Sequence, residues 1–239
     1  MSSKRKRQRP RSARTQRRRA AAAETGQRGL KAWILPGFLG VAVIAIALLG
    51  ISAIAGDDRG TVTAEPAPPP VLGEQTARVV IHEYADYLCP FCGRFARTIK
   101  PELQERYIDT GLVQLVWHDL AGHGQPSWDT ANAARCAGDQ GHYWDYHDFL
   151  YAIQQGAGHD AYSDERLKEY GDAMGLEPDA FHACVDAGTY EGAIEADMRS
   201  NRRQGITGTP SFVIGDQRIV GAQPVEVFEQ AILRELQGG

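Results

Sequence analysis

Cys89 and Cys92 stand three positions apart in Cys89-Pro90-Phe91-Cys92, the arrangement in this chain best suited to covalent chemistry. At the start of a helix, positions i and i+3 bring both sulfurs to the same side of the first turn. Pro90 suits the first helical position, where a backbone N–H would have no helical carbonyl to reach. The unpaired N–H groups and dipole of a helix N-terminus favour negative charge, so Cys89 is expected to be the thiolate. Its pKa should fall from ~8.5 toward the ~3.5–7.5 range of such motifs. Cys89 is then the nucleophile and leaving group of thiol–disulfide exchange, and Cys92 the thiol that resolves a mixed disulfide. The same four residues also admit plainer readings, half of a zinc site or a structural disulfide. Zinc needs two more ligands at compact spacing, and the chain beyond Cys92 has neither a second C-x-x-C nor an H-x-x-x-H.

The elements that must position these sulfurs are legible on both sides. Val79-Val80-Ile81-His82-Glu83-Tyr84 is a short β-branched run suited to a buried strand, and a turn through Asp86 leads from it to Cys89. Phe91, Phe95, Ile99 and Leu103 recur every four residues on one side of the next helix, which Pro101 should bend or break. Val113-Gln114-Leu115-Val116-Trp117 is a second buried-strand candidate, so the body opens strand, helix, strand, as an α/β fold does. Ser127 to Gln204 has no convincing strand and several helical stretches. Among them, Ser163 with Asp164 and Glu165 reads as a helix start, and Gly175 as a stop. Strand patterns return at Ser211-Phe212-Val213-Ile214 and Arg218-Ile219-Val220 around Gly215-Asp216-Gln217, a hairpin signal. A last amphipathic helix carries Phe228, Ile232 and Leu236 on one face.

The formal net charge of −4 conceals a strong asymmetry. Residues 1–31 hold 12 of the 26 Lys and Arg residues against Glu24 alone. Such a tail attracts phosphates in principle, but the apolar run directly after it argues against nucleic acid. From Ala32 to Gly56 there are 25 consecutive uncharged, mostly apolar residues, and ~20 suffice to span a bilayer core. One transmembrane helix over 32–56 is expected, with the basic tail cytoplasmic and the rest of the chain outside. A cleavable signal peptide is the rival, since Ala53-Ile54-Ala55 has the small-x-small form, though the apolar run exceeds the ~7–15 residues of a secretory core. Residues 57–76, with Glu65-Pro66-Ala67-Pro68-Pro69-Pro70, read as a polyproline stalk, and 77–239 as the folded domain.

Glu83-Tyr84-Ala85-Asp86-Tyr87-Leu88-Cys89-Pro90-Phe91-Cys92 resembles the active-site strand, turn and helix of the DsbA-like disulfide oxidoreductases of the thioredoxin superfamily. Gly205-Ile206-Thr207-Gly208-Thr209-Pro210-Ser211-Phe212 resembles that family's cis-proline segment, and the likeness covers roughly residues 77 to 237. The resemblance implies a thioredoxin-like α/β fold with an inserted helical domain at about 120–204, here preceded by one transmembrane helix. It implies a substrate surface made by Pro90, Phe91, Thr209 and Pro210, with the Thr209 backbone free to pair with an extended chain. Glu83 matches the family's buried acid beneath the disulfide, whose raised pKa would let it take the Cys92 proton. Asp86 reads better as a turn residue than as a catalyst. Cys136 and Cys184 match a region where some members carry a structural disulfide. Where the best-known members have Pro-His between the cysteines, this chain has Pro90-Phe91. Phe91 donates no hydrogen bond, so Cys89 should be depressed, but less than in those members.

The resemblance implies oxidation of reduced or unfolded exported proteins, with no metal and no bound cofactor. Reoxidation would fall to an integral-membrane quinone-linked oxidase of the DsbB or vitamin K epoxide reductase type. A reductase or isomerase, and a redox-inert peptide-binding module, are the alternatives. No added N-terminal dimerisation domain is present, which leans toward a monomer. His118, His123, His142, His147, His159 and His182 invite a metal reading. At helical spacing, however, Tyr143, Tyr146, Phe149 and Leu150 are more simply a packed face, with the charges of Trp144-Asp145-Tyr146-His147-Asp148 solvated between them.

Overall fold

The computed structural model describes residues 67–156 and 158–238. The expected basic tail, the apolar segment 32–56 and the first part of the stalk lie outside the described residues. Among the described residues no helix is long and apolar enough to cross a membrane.

Five strands form one sheet in the order β1-β3-β2-β4-β5. They are β1 (Val71–Leu72), β2 (Val79–Ala85), β3 (Val113–Asp119), β4 (Ser211–Ile214) and β5 (Gln217–Val220). The central strand β2 runs parallel to β3, with Glu83 opposite Trp117, and antiparallel to β4, with Glu83 opposite Phe212. Alternation along β2 sends Val79, Ile81 and Glu83 to one face and His82 and Tyr84 to the other. On the first face Val79, Ile81, Val113, Leu115, Phe212 and Ile214 form one core with two helices. Phe95, Ile99 and Leu103 come from the helix after the cysteines, and Phe228, Ala231 and Ile232 from the last helix, α7 (Val225–Gly238). The alternation along β2 and the spacing from Phe95 to Leu103 are therefore core positions, while Phe91, the first of the series read from the sequence, is 57% exposed and lies outside the core.

The helix carrying the cysteines, α1, is a continuous rod of four stretches: Pro90–Arg94, Phe95–Ile99, Lys100–Leu103 and Gln104–Ile108. Phe95–Ile99 and Gln104–Ile108 are π-helical, wider than an ordinary turn. Pro101 does not break the rod, the stronger of the two effects expected of it. It falls within the first two positions of Lys100–Leu103, directly after a π-turn that relieves the clash of a proline ring with the carbonyl four residues back. A second departure lies in the expected stalk over 57–76, since Val71 and Leu72 pair with Val116 and Leu115 as β1. The Pro70 carbonyl accepts from Trp117 N at 2.9 Å and the Val71 carbonyl from Trp144 Nε1 at 2.9 Å, so the chain is already tied to the domain there.

Between β3 and β4 lie five helices: α2 (Gln125–Gly138), α3 (Tyr143–Ile153), α4 (Asp164–Ala173), α5 (Pro178–Asp186) and α6 (Glu191–Arg203). Their ends follow local rules. The Ser163 side chain accepts from Arg166 N at the start of α4, and Gly175 takes φ of 82° just past its end, a conformation open to glycine. Glu177 caps α5 by accepting from Asp179 N and Ala180 N, with Pro178 at the first helical position. Ala131, Ala134, Tyr146, Leu150, Leu167, Phe181, Val185 and Ile194 form a second core that also takes in Tyr87, Cys89, Cys92 and Trp117. The two sulfurs thus sit where the sheet meets the helical insertion.

Cys136 of α2 and Cys184 of α5 are joined, with Cα atoms 5.8 Å apart. A crosslink over a sequence separation of 48 is worth roughly 4 kcal/mol in the chain-entropy model. Cys136→Ser with Cys184→Ser should lower the unfolding free energy toward that amount in urea titrations, with the m-value rising. An unchanged midpoint would show that the bridge does not hold the insertion together.

Candidate active site

Asp86 ends β2 and fixes the turn before the cysteines. Its Oδ1 accepts from Leu88 N at 2.8 Å and Ser127 Oγ at 2.8 Å, and its Oδ2 from Gly122 N and His123 Nδ1, both at 2.7 Å. This is the turn role expected of it, extended to hold the loop entering α2. Cys89 N donates to the Asp86 carbonyl at 3.0 Å, and the Cys89 carbonyl accepts from Gly93 N at 3.1 Å and Gln154 Nε2 at 3.0 Å. Gln154 Nε2 also reaches the Tyr87 carbonyl at 2.7 Å. Gly93 makes room for this strap, because a Cβ there would come within 1.8 Å of Gln154 Oε1. Cys89 itself is extended, with φ −75° and ψ 119°, and Pro90 opens the helix, as the motif predicts.

Cys89 and Cys92 are both unbonded and buried. The Cys89 sulfur lies 3.5 Å from the Thr209 carbonyl, next to a cis Thr209–Pro210 bond. A hydrogen bond from the Cys92 thiol, opposed by burial and aided by the Thr209 side chain and the N–H groups of Cys92 and Phe91, brings Cys89 down to about 5. Burial pushes Cys92 well up, and so do its role as donor to Cys89 and the charge beside it. The two sulfurs are thereby split into a stable thiolate and a stable thiol. For the reduced chain the Cys89 thiolate contributes stability that is full above the ordinary thiol pKa of about 9 and lost as the pH falls through about 5. Phe91 is 57% exposed, with the Arg94 guanidinium 5.5 Å over its ring. Arg94 also donates to the Ala222 carbonyl, joining the cysteine helix to the segment after β5.

Glu83 is 0% exposed, and among the described residues neither of its oxygens has a partner. Burial pushes it up to about 8, against the pull of Lys100 and with a push from Asp148. Sequence reasoning placed this acid and missed the groups around it. Lys100 is buried on α1 and holds both oxygens of Asp148 at 2.8 Å. His147 is fully buried rather than solvated, with Nδ1 2.7 Å from Asp148 Oδ1 and its ring among Trp117, Trp144 and Tyr151. Burial first, and Lys100 as well, lowers its pKa despite Asp148, so His147 is neutral. The only sequence sign of this network is Lys100 at a position flanked by core residues. His123 was also missed as a site residue. Its hydrogen bond to Asp86 raises its pKa against burial, and Cys89 adds to the rise. Among the described residues no group of three or more His, Cys, Asp and Glu side chains could hold a metal.

Glu83 is favoured neutral in the fold and more acidic when unfolded. Its contribution is therefore full below about 4.5 and lost as the pH rises to about 8. In reduced protein, Glu83→Gln should gain stability over the wild type by up to ~1.4 kcal/mol per pH unit across that window and level off above it. Parallel pH–stability curves for the two would contradict a buried, neutral acid.

Residues 66–234 match the family model described as Thioredoxin. Disulfide bond formation protein D of Bacillus subtilis is 27% identical over 172 residues, covering 71% of this chain and 78% of that protein. A protein named Na(+)/H(+) antiporter NhaA 3 of Salinispora tropica is 30% identical over 177 residues, but the chain spans only 25% of that relative's length. Among solved structures, oxidised BdbD of Bacillus subtilis superposes with a TM-score of 0.66 at 26% identity, over 71% of this chain and 93% of that one. Wolbachia pipientis alpha-DsbA1, at 21% identity and a TM-score of 0.64, shares the fold over 71% of this chain and 92% of its own. The chain therefore belongs to the thioredoxin family, as a DsbA-like member of its disulfide-oxidoreductase branch.

Proposed function

We propose that the chain is an extracytoplasmic, membrane-anchored oxidase of protein thiols that introduces disulfides into exported proteins. The observation that carries this reading is the split between the two sulfurs, a Cys89 held near a pKa of about 5 beside a Cys92 pushed well up. A thiolate stabilised this far is a good leaving group, and stabilising the reduced form makes the disulfide a stronger oxidant. A reductase needs the opposite, a stable disulfide and a Cys89 closer to free cysteine.

With Cys89 and Cys92 joined, a substrate thiolate attacks Cys89 Sγ. A substrate–Cys89 bond forms, the Cys89–Cys92 bond breaks, and its electron pair leaves on Cys92. Cys92, whose pKa is raised, takes up a proton, which the protonated Glu83 carboxyl coupled to it supplies. A second substrate thiolate then attacks the substrate sulfur, and Cys89 departs as the thiolate. The substrate loses two electrons to become a disulfide, and the chain ends as the dithiol. The Thr209 carbonyl, 3.5 Å from Cys89 Sγ, marks where an extended substrate backbone would lie, with Pro90 and the exposed Phe91 beside it.

Reoxidation requires an electron acceptor. A quinone-linked membrane oxidase of the DsbB or vitamin K epoxide reductase type fits a protein anchored in the same bilayer, where tethering raises the effective concentration of the pair. The anchor and the outward placement rest on the apolar run Ala32 to Gly56 and the basic residues before it.

Oxidation of a reduced, unfolded two-cysteine protein by the full chain tests the reading. Cys89→Ser should lower turnover at least a hundredfold, and so should Cys92→Ser, which cannot form the Cys89–Cys92 disulfide. Offered the same protein in its disulfide form, the Cys89 thiolate of Cys92→Ser should attack that bond, release one substrate thiolate and hold the other sulfur as a mixed disulfide visible by non-reducing mass spectrometry. Retained turnover in Cys89→Ser would remove the mechanism.

A further inference from the structure

Beside Cys89 lies a cavity of about 560 Å³ that the exchange steps leave unused. Leu88 and Pro90, the two neighbours of Cys89, form part of its wall, and Arg97, His123, Gln154 and Tyr162 supply its polar groups. Nothing from the Thr209–Pro210 loop lines it, so it lies apart from that loop while sharing Pro90 with the expected substrate surface. Its size suits a side chain or a small molecule.

The polar groups have one sign. Tyr162 is 5% exposed, and among the described residues its hydroxyl has no partner. Arg97 donates through Nη1 to the Tyr151 carbonyl at 2.5 Å and to Gln154 Oε1 at 3.2 Å, while its buried Nε has no partner among the described residues. His123 is held toward its charged form by Asp86. Asp86 is the carboxylate whose charge reaches both His123 and Tyr162, but its two oxygens are already occupied by Leu88, Gly122, His123 and Ser127. The cavity thus offers an arginine, an imidazole whose pKa is raised and a phenol hydroxyl, and among the described residues no carboxylate lines it. Arg97 and Tyr162 both line the cavity, where burial raises the Tyr162 pKa and Arg97 is close enough to pull it down, and a guanidinium near a hydroxyl is a donor set that complements a carboxylate in charge.

We propose that this cavity is a carboxylate subsite for thiol substrates, which selects an acidic group within about two residues of the reacting cysteine. It rests on the exchange reaction proposed above and adds a preference that reaction does not require. The carboxylate has two natural sources: a Glu or Asp side chain of a protein substrate, or the carboxylates of a small thiol such as glutathione.

The test compares the full chain, in its oxidised form, on matched cysteine peptides carrying Glu or Gln one or two residues from the cysteine, and on glutathione against its diethyl ester. The expected result is a preference of about tenfold in kcat/KM for the acidic member of at least one pair, equivalent to about 1.4 kcal/mol. Preference in the peptide pair alone assigns the site to protein substrates, and in the glutathione pair alone to the small thiol. Tyr162→Phe, which removes only an unpartnered hydroxyl, should reduce the preference about threefold. Arg97→Gln should abolish it, and Arg97→Lys should retain part of it. Equal rates within both pairs, in a protein that turns both over, would overturn the subsite and leave the oxidase reading standing. If no thiol is oxidised, the oxidase reading fails. The subsite is then decided by the Kd of the same peptides with Ser in place of Cys, where equal affinity for the Glu and Gln forms would overturn it.

Discussion

The hydrogen bond from the Cys92 thiol to the Cys89 sulfur is the interaction on which the site depends. It is the largest influence holding Cys89 down, and the same contact helps push Cys92 up. Two identical side chains three residues apart therefore become chemically distinct, one charged and leaving easily, the other neutral and proton-retaining. Helix-end N–H groups and the Thr209 side chain reinforce the difference but do not create it alone. A thioredoxin-like frame suits this need, since β2 and α1 fix the helix start while the proline loop before β4 closes over the nucleophile.

Beneath the two sulfurs lies a floor whose charges are either paired or suppressed by burial. Glu83 is neutral at physiological pH because burial outweighs Lys100, and Lys100 is itself tied to Asp148. His147 completes that floor in its neutral form, wedged among aromatic rings. The insertion therefore does more than cover the fold. It supplies His147 and Asp148 to that floor, Gln154 to pin the Cys89 carbonyl, and Tyr151 to hold the Asp86 carbonyl at 3.1 Å. On the thiolate side, His123 of the loop entering α2 has its pKa raised by Asp86 and, in part, by Cys89.

Much of this was legible in the sequence because it is local. The strand alternation in Val79 to Tyr84, the four-residue spacing of Phe95 to Leu103, the cap at Ser163 and the stop at Gly175 all depend on neighbours within a turn or two, whereas Phe91, at the same spacing, is exposed. Cys89, Cys92, Glu83 and Pro210 were found through motif order, and the structure gathers Cys89, Cys92 and Thr209 together. The features that stayed hidden depend on distant partners. Lys100 meets Asp148 across 48 positions and Asp86 meets His123 across 37, and no periodicity reports such pairs. His147 reads as a solvated charge because helical spacing gives a face but not which face a second domain layer covers. Pro101 reads as a residue that bends or breaks the helix because nothing local announces that a π-turn, not an ordinary one, precedes it.

Cys89 is stabilised as a thiolate strongly enough that its disulfide with Cys92 should be an oxidant. The equilibrium of that disulfide with glutathione, in the full chain near neutral pH, measures this stabilisation directly. The expected reduction potential lies well on the oxidising side of thioredoxin, closer to about −120 than to about −270 mV. A potential at or below about −270 mV would refute the oxidase chemistry, since the reduced pair would then gain nothing from the contacts around Cys89.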